Sequence, residues 1–217
     1  MAGEAGLLMC SFPRSDWDYA QAKGKGPEWA AGYFNECMNG FEYQVAGHML
    51  WEGMLLEGLA ITRALHDRYH GSRRNPWTEV ECGDHYARSM ASYGVYLAAC
   101  GFEYHGPKGH IGFAPRLTPE NFKCAFTGAE GWGSYLQRRL KEGMECELAL
   151  HWGRLKLRSV SLSLAEGVVV ESVRVKVDGR EVATSHRQSG ARLWLALGTS
   201  QELAARQVVT ISVRSRS

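Results

Sequence analysis

With 217 residues, 45% hydrophobic and 22% charged, and a formal net charge of +2, the chain is long enough to bury one domain, or one domain plus a small appendage, and is not a disordered polyelectrolyte. No block of like charge marks a nucleic-acid or membrane-surface footprint, and no apolar run approaches the ~20 residues that a bilayer requires. The balance suits a small neutral ligand.

The six cysteines, Cys10, Cys37, Cys82, Cys100, Cys124 and Cys146, are dispersed, and three sit inside apolar patterns where a free thiol behaves as a small hydrophobe. Together with the lack of a basic segment leading into an apolar stretch and a small-residue cleavage site, this sets the expectation of a reducing, cytoplasmic setting.

From Glu42 to Tyr69 the apolar residues Val45, Met49, Leu56 and Ala60 form one helical stripe, and Leu50, Met54, Ile61 and Leu65 form another. So wide an apolar face predicts a well-buried helix, with Trp51 in the core. Gly47, Gly53 and Gly58 each cost about 1 kcal/mol against Ala in a helix, which is tolerable where neighbouring helices approach closely. A loop follows, HGSRRNPWTEVECG, broken by Gly71, Asn75 and Pro76. A second helix is expected from Asp84 to Gly101, where the glycine takes the left-handed C-terminal conformation. The stretch GPKGHIGFAPRLTPENFKCAFTGAEGWGSY, rich in glycine and carrying three prolines, predicts irregular or β structure packed across the helical part.

After about Cys146 the period becomes two. Leu148 and Leu150, Leu155 and Leu157, Leu162 and Leu164, then Val173, Val175 and Val177 read as half-buried strands. Asp178 and Gly179 supply a two-residue hairpin turn, and alternation resumes at Leu193, Leu195 and Leu197 and at Val209, Ile211 and Val213. Arg154, Lys156, Arg174 and Lys176 alternate with these as a solvated strand face.

The carboxylates of the helical half are Glu36, Glu42, Glu79, Glu81 and Asp84. An ionised carboxylate accepts hydrogen bonds from two adjacent sugar hydroxyls, and an arginine beside it orients them, so Glu79 and Arg88 at a loop-to-helix junction suit sugar binding. The bland alternative makes Glu79, Glu81, Asp84 and Arg88 a helix cap and surface salt bridge worth ~1 kcal/mol or less. Trp29, Trp51, Trp77 and Trp132 have faces that stack on sugars, although tryptophan at helical spacing is more often core. Cys82 and His85, spaced C-x-x-H, with His105 and His110 downstream, make only half of a structural zinc motif, so no metal is expected. Cys82 with His85 is weaker still as a nucleophile pair, for want of an orienting third group. No phosphate-binding glycine loop or GxSxG elbow is present.

The segments GLLMCSFP, NECMNGFEYQVAGHMLWEG and RRNPWTEVECGDHYARSMASYGV, in this order between Gly6 and Phe102, closely resemble the end of the catalytic domain of glycoside hydrolase family 116. That family includes non-lysosomal glucosylceramidase and bacterial β-glucosidases, and the glycine-rich stretch that follows looks like the continuation in longer bacterial members. The resemblance implies that residues 1–140 are the C-terminal portion of an (α/α)6 barrel with an irregular extension; with the alternating residues of 141–217 read as a small antiparallel β-domain, the expected class is α+β. The resemblance also implies a retaining mechanism on β-linked glucosides without metal or organic cofactor. The family's nucleophile and acid/base carboxylates lie upstream of the matched region, so this chain is expected to lack both and to work with the N-terminal part of the same enzyme. Glu36, Glu79 and Arg88 match the family's sugar-binding Glu, Glu and Arg. Two departures put the sugar in question: Cys37-Met38 stands where the family has Trp after the first Glu, and Gly94 falls where some members carry a further sugar-contacting Arg. The rival reading is a non-catalytic module whose β tail binds carbohydrate or a protein partner.

Overall fold

The computed structural model describes residues 5–8, 37–76 and 87–216. The chain divides into two compact units, Met1–Ala98 and Ala99–Ser217.

In the first unit, helix α1 (Asn39–Trp51) is followed by α2 (Leu55–Arg68), not continued into it. The single helix expected from Glu42 to Tyr69 is broken at Gly53, whose φ of +85° only glycine adopts cheaply. The chain turns there, and of the two expected apolar stripes only Leu50 of α1 and Leu65 of α2 are fully buried, while Met54 and Leu56 at the turn are exposed. Gly58 is the contact point. A Cβ there would lie 2.1 Å from Leu50 Cδ1 and 2.8 Å from the Ala46 carbonyl, so the helices approach as closely as the glycine allows. Trp51, expected in the core, lies at the turn and is 42% exposed. Further on, a 3₁₀ turn over Ala87–Ala91 leads into α3 (Ser92–Cys100), and Gly101 takes the expected left-handed φ of +54°.

The second unit is built of strands β1 (Glu103–His105), β2 (His110–Phe113), β3 (Asn121–Thr127), β4 (Gly131–Leu140), β5 (Gly143–Ser163), β6 (Val169–Val177), β7 (Arg180–Val182), β8 (Thr184–Ser189), β9 (Arg192–Ala204) and β10 (Val208–Arg216). They join in one mixed sheet in which only β2 and β5 run parallel. Strand β5 organises it. Its first half pairs with β4 and β10, its second half with β2 and β9. The sheet folds over along β5, so that Phe113 of β2 stacks on Tyr135 of β4 with ring centroids 3.9 Å apart. The shared core holds Phe122, Leu148, Leu157, Leu162, Leu195 and Ile211 among others.

This overturns the expected portion of an (α/α)6 barrel with a small antiparallel appendage. The described α-helices amount to one hairpin and the 3₁₀-led α3, and from Glu103 onward the chain is predominantly strand. The reason lies in the glycine-rich stretch. In β3 the buried residues Phe122, Cys124 and Phe126 alternate with exposed Asn121, Lys123, Ala125 and Thr127, a period-two pattern that buries only in a sheet. The Asp178–Gly179 turn is as expected: positive φ at both residues, with Val177 paired to Arg180 across it.

Among the described residues, no helix is long and apolar enough to cross a membrane.

Candidate functional site

Of the three expected sugar-binding residues, Arg88 is described, whereas Glu36 and Glu79 lie outside the described residues, as do Glu81, Cys82, Asp84, His85, Trp29 and Trp77. Arg88 is the second residue of the 3₁₀ turn before α3 and reaches the start of α1. Its Nη1 donates to Met38 Sδ at 3.5 Å, and its guanidinium carbon lies 5.6 Å from the centroid of the Phe41 ring. Its aliphatic stem covers Gly40, where a Cβ would lie 3.1 to 3.3 Å from Arg88 Cδ, Cβ and Cγ. Arg88 is thus held against the residues that directly follow Glu36, although 50 positions separate it from Met38 in sequence.

Glu42, one of the carboxylates counted as available for chemistry, is committed elsewhere. It is 1% exposed, accepts from the Leu7 backbone N–H at 2.7 Å, and forms a double hydrogen bond with Arg68, itself fully buried. Arg68 Nη1 also donates to the Ala5 carbonyl at 2.9 Å. Burial opposes the charge on Arg68, yet the hydrogen bonds and attraction of Glu42 outweigh it and hold its pKa above the ordinary value. Burial, with the Glu42 charge adding to it, raises the Cys37 thiol and the Tyr43 phenol in turn. Sequence reasoning missed this pair because a glutamate and an arginine 26 apart carry no local signal.

A second polar cluster, also missed, lies in the second unit. Glu103, His110, Ser161 and Arg192 come from β1, β2, β5 and β9. Ser161 Oγ donates to Glu103 Oε2 at 3.0 Å, Arg192 Nη2 donates to Ser161 Oγ at 2.6 Å, and His110 Nε2 lies 3.2 Å from the same hydroxyl. Gly112 between them makes room, since a Cβ there would lie 2.2 Å from Ser161 Oγ. The residue types match a Ser-His-carboxylate set, but the geometry does not serve acyl transfer. His110 Nδ1 bonds Ser159 and not the carboxylate, and Ser161 has no exposed surface for a substrate to reach. The cluster ties four strands together. Among the described residues, no group of three or more His, Cys, Asp or Glu is placed to hold a metal ion.

No family model and no curated protein matches the chain. Solved structures similar to it include an α-L-rhamnosidase from Dictyoglumus thermophilum, at a TM-score of 0.32 and 8% identity over 60% of this chain and 14% of that one. Another, described as a glycoside hydrolase, has a TM-score of 0.32 and 14% identity over 58% of this chain and 19% of that one. These distant neighbours are glycoside hydrolases, and this chain spans less than a fifth of either. At those values neither likeness carries a fold or an activity over to it.

Proposed function

We propose that this chain supplies the sugar-binding part of a glycoside hydrolase acting on β-glucosides or glucosylceramide-like substrates. Glu36, Glu79 and Arg88 grip one glucose-like ring, and the nucleophile and acid/base carboxyls come from elsewhere in the enzyme. The observation that carries this reading is the seat of Arg88 against Met38, Gly40 and Phe41. Arg88 thereby lies against a segment that begins two positions after Glu36 in sequence, although 50 positions separate it from Met38. A helix cap and surface salt bridge at Glu79 to Arg88 requires no such convergence with the Glu36 segment. In the proposed site each carboxylate accepts from a pair of adjacent hydroxyls, while the guanidinium, stacked on an aromatic face, keeps the direction of its donors fixed.

Isothermal titration with the glucose-mimicking iminosugar 1-deoxynojirimycin tests this. Arg88→Ala and Glu79→Gln should each weaken binding by about tenfold or more, as loss of a charge-assisted hydrogen bond does. Equal affinity in wild type and both variants would leave the salt-bridge reading standing. The isolated chain should turn over no aryl β-glucoside, because retention requires two carboxyls ~5 to 5.5 Å apart across the anomeric carbon, and these carboxylates are assigned to binding. Turnover that vanished in Glu79→Gln but survived Arg88→Ala would reverse the assignment.

A further inference from the structure

The second unit carries a pair of tryptophans that its core does not use. Trp132 of β4 and Trp152 of β5 are register partners, 49% and 63% exposed, whereas the flanking Gly131, Gly133 and Tyr135 point inward and are buried. Register partners hold their Cβ atoms about 5 Å apart, comparable to the advance per residue of an extended sugar chain. Trp132 lies 5.5 Å from the His151 ring at a tilt of 54°, and most of Trp152 is open to solvent.

The presentation is built by the backbone. The β4–β5 register skips His151, because Trp132 pairs with Trp152 but Gly133 with Leu150. Such a bulge re-aims the side chains around it. Next, Gly153 takes a φ of +78°, where a Cβ would meet the Glu130 carbonyl at 2.0 Å. The rim is polar. His151 Nε2 and Ser134 Oγ are 2.9 Å apart, and two residues beyond each tryptophan Arg154 Nε donates to Glu130 at 3.0 Å.

We propose that Trp132 and Trp152, with His151, Ser134, Glu130 and Arg154 around them, form a binding surface for a flat β-linked oligosaccharide. The surface shares only its ligand class with the site proposed around Arg88. The C–H faces of successive pyranose rings stack on the indoles, while their hydroxyls, which both donate and accept, match the imidazole, hydroxyl, carboxylate and guanidinium of the rim. A protein partner fits the patch less well. Two indoles bury at most about 150–250 Å² each, against the ~800 Å² per side of a stable interface, and the other large exposed apolar residues of this unit, Leu140 and Val169, lie at the far end of β4 and the start of β6.

Titration of the whole chain with cellohexaose, followed by tryptophan fluorescence and calorimetry, tests the surface. Trp152→Ala and Trp132→Ala should each weaken binding about tenfold or more, the loss expected of one aromatic anchor, and neither should change the affinity for 1-deoxynojirimycin. Far-UV circular dichroism should be that of wild type in both tryptophan variants. Absence of cellohexaose binding, or binding indifferent to both tryptophans, overturns the proposal. So does concentration-dependent self-association in sedimentation that Trp152→Ala abolishes while no sugar binds, because the patch is then an interface between copies. Cellohexaose affinity lowered in both tryptophan variants with 1-deoxynojirimycin affinity unchanged separates the two sites.

Discussion

Glu42 of α1 and Arg68 at the end of α2 meet as a fully buried, doubly hydrogen-bonded ion pair that also holds the Leu7 N–H and the Ala5 carbonyl. The pair clamps residues 5–8 to the helical hairpin. Gly6 lies directly over it, where a Cβ would stand 2.5 Å from Arg68 Nη1 and 2.7 Å from Cys37 Sγ.

Removing one partner strands the other's charge away from water. Arg68→Met should therefore cost about 3–5 kcal/mol, read as a lower midpoint in chemical denaturation. The double variant Glu42→Leu/Arg68→Met should recover most of that loss, since apolar groups of similar volume replace both charges at little net cost. A single variant with wild-type stability would show that the pair is hydrated in solution.

Two glycines should respond in opposite directions. Gly94 lies exposed inside α3, and a Cβ there meets nothing within 4 Å, so Gly94→Ala should stabilise by up to about 1 kcal/mol through helix propensity. Gly133 in β4 sits where a Cβ would meet the Ala149 carbonyl at 2.1 Å and the Phe126 ring at 2.8 Å, so Gly133→Ala should destabilise by about 1–3 kcal/mol or more. Thermal melts of the two variants check both signs.

Alkaline pH should loosen the second unit. Burial pushes the Cys146 thiol from 9.0 up to about 12 and the Tyr135 phenol well above its ordinary value, and the two are joined by a 3.3 Å hydrogen bond from Tyr135 to Cys146 Sγ. Both groups are neutral when protonated, and folding raises both pKa values, so the native state holds their protons more tightly than the unfolded chain. Their contribution is complete below pH 9 and is lost as the pH rises towards 12. Denaturation midpoints measured from pH 8 to 11 should fall, and Cys146→Ala should flatten that slope. At pH 8 iodoacetamide should modify Cys146 only after unfolding, because the thiolate is the nucleophile.

What the sequence determined by itself is local. The Asp178–Gly179 turn and the left-handed Gly101 were legible, because a backbone conformation that favours one or two residue types leaves its mark at a single position. Strand β5 was legible only in part. Its buried residues run Leu148 and Leu150, then Leu155 and Leu157, then Val160 and Leu162, and each change of parity looks like a break between strands. The register instead skips His151 against β4 and shifts between Leu157 and Ser159, where Arg158 faces residues 197–200 of β9, so the changes of phase are pairing irregularities within one 21-residue strand. An extra residue in a continuous strand and a gap between strands leave the same alternation, and only the pairing partners distinguish them.

The tertiary structure alone decided the rest. Apolar periodicity across Gly53 runs the same whether the chain continues or turns, so two helices read as one and Trp51 read as core. Glu42 looked like a carboxylate available for chemistry until its partner 26 residues away was in place, and Arg88 acquired its position against Met38 and Phe41 only across 50 residues. The open Trp132–Trp152 pair depends on a register between two strands. Long-range pairs carry no spacing signal: the energy that selects them comes from burial, and burial is a property of the folded chain.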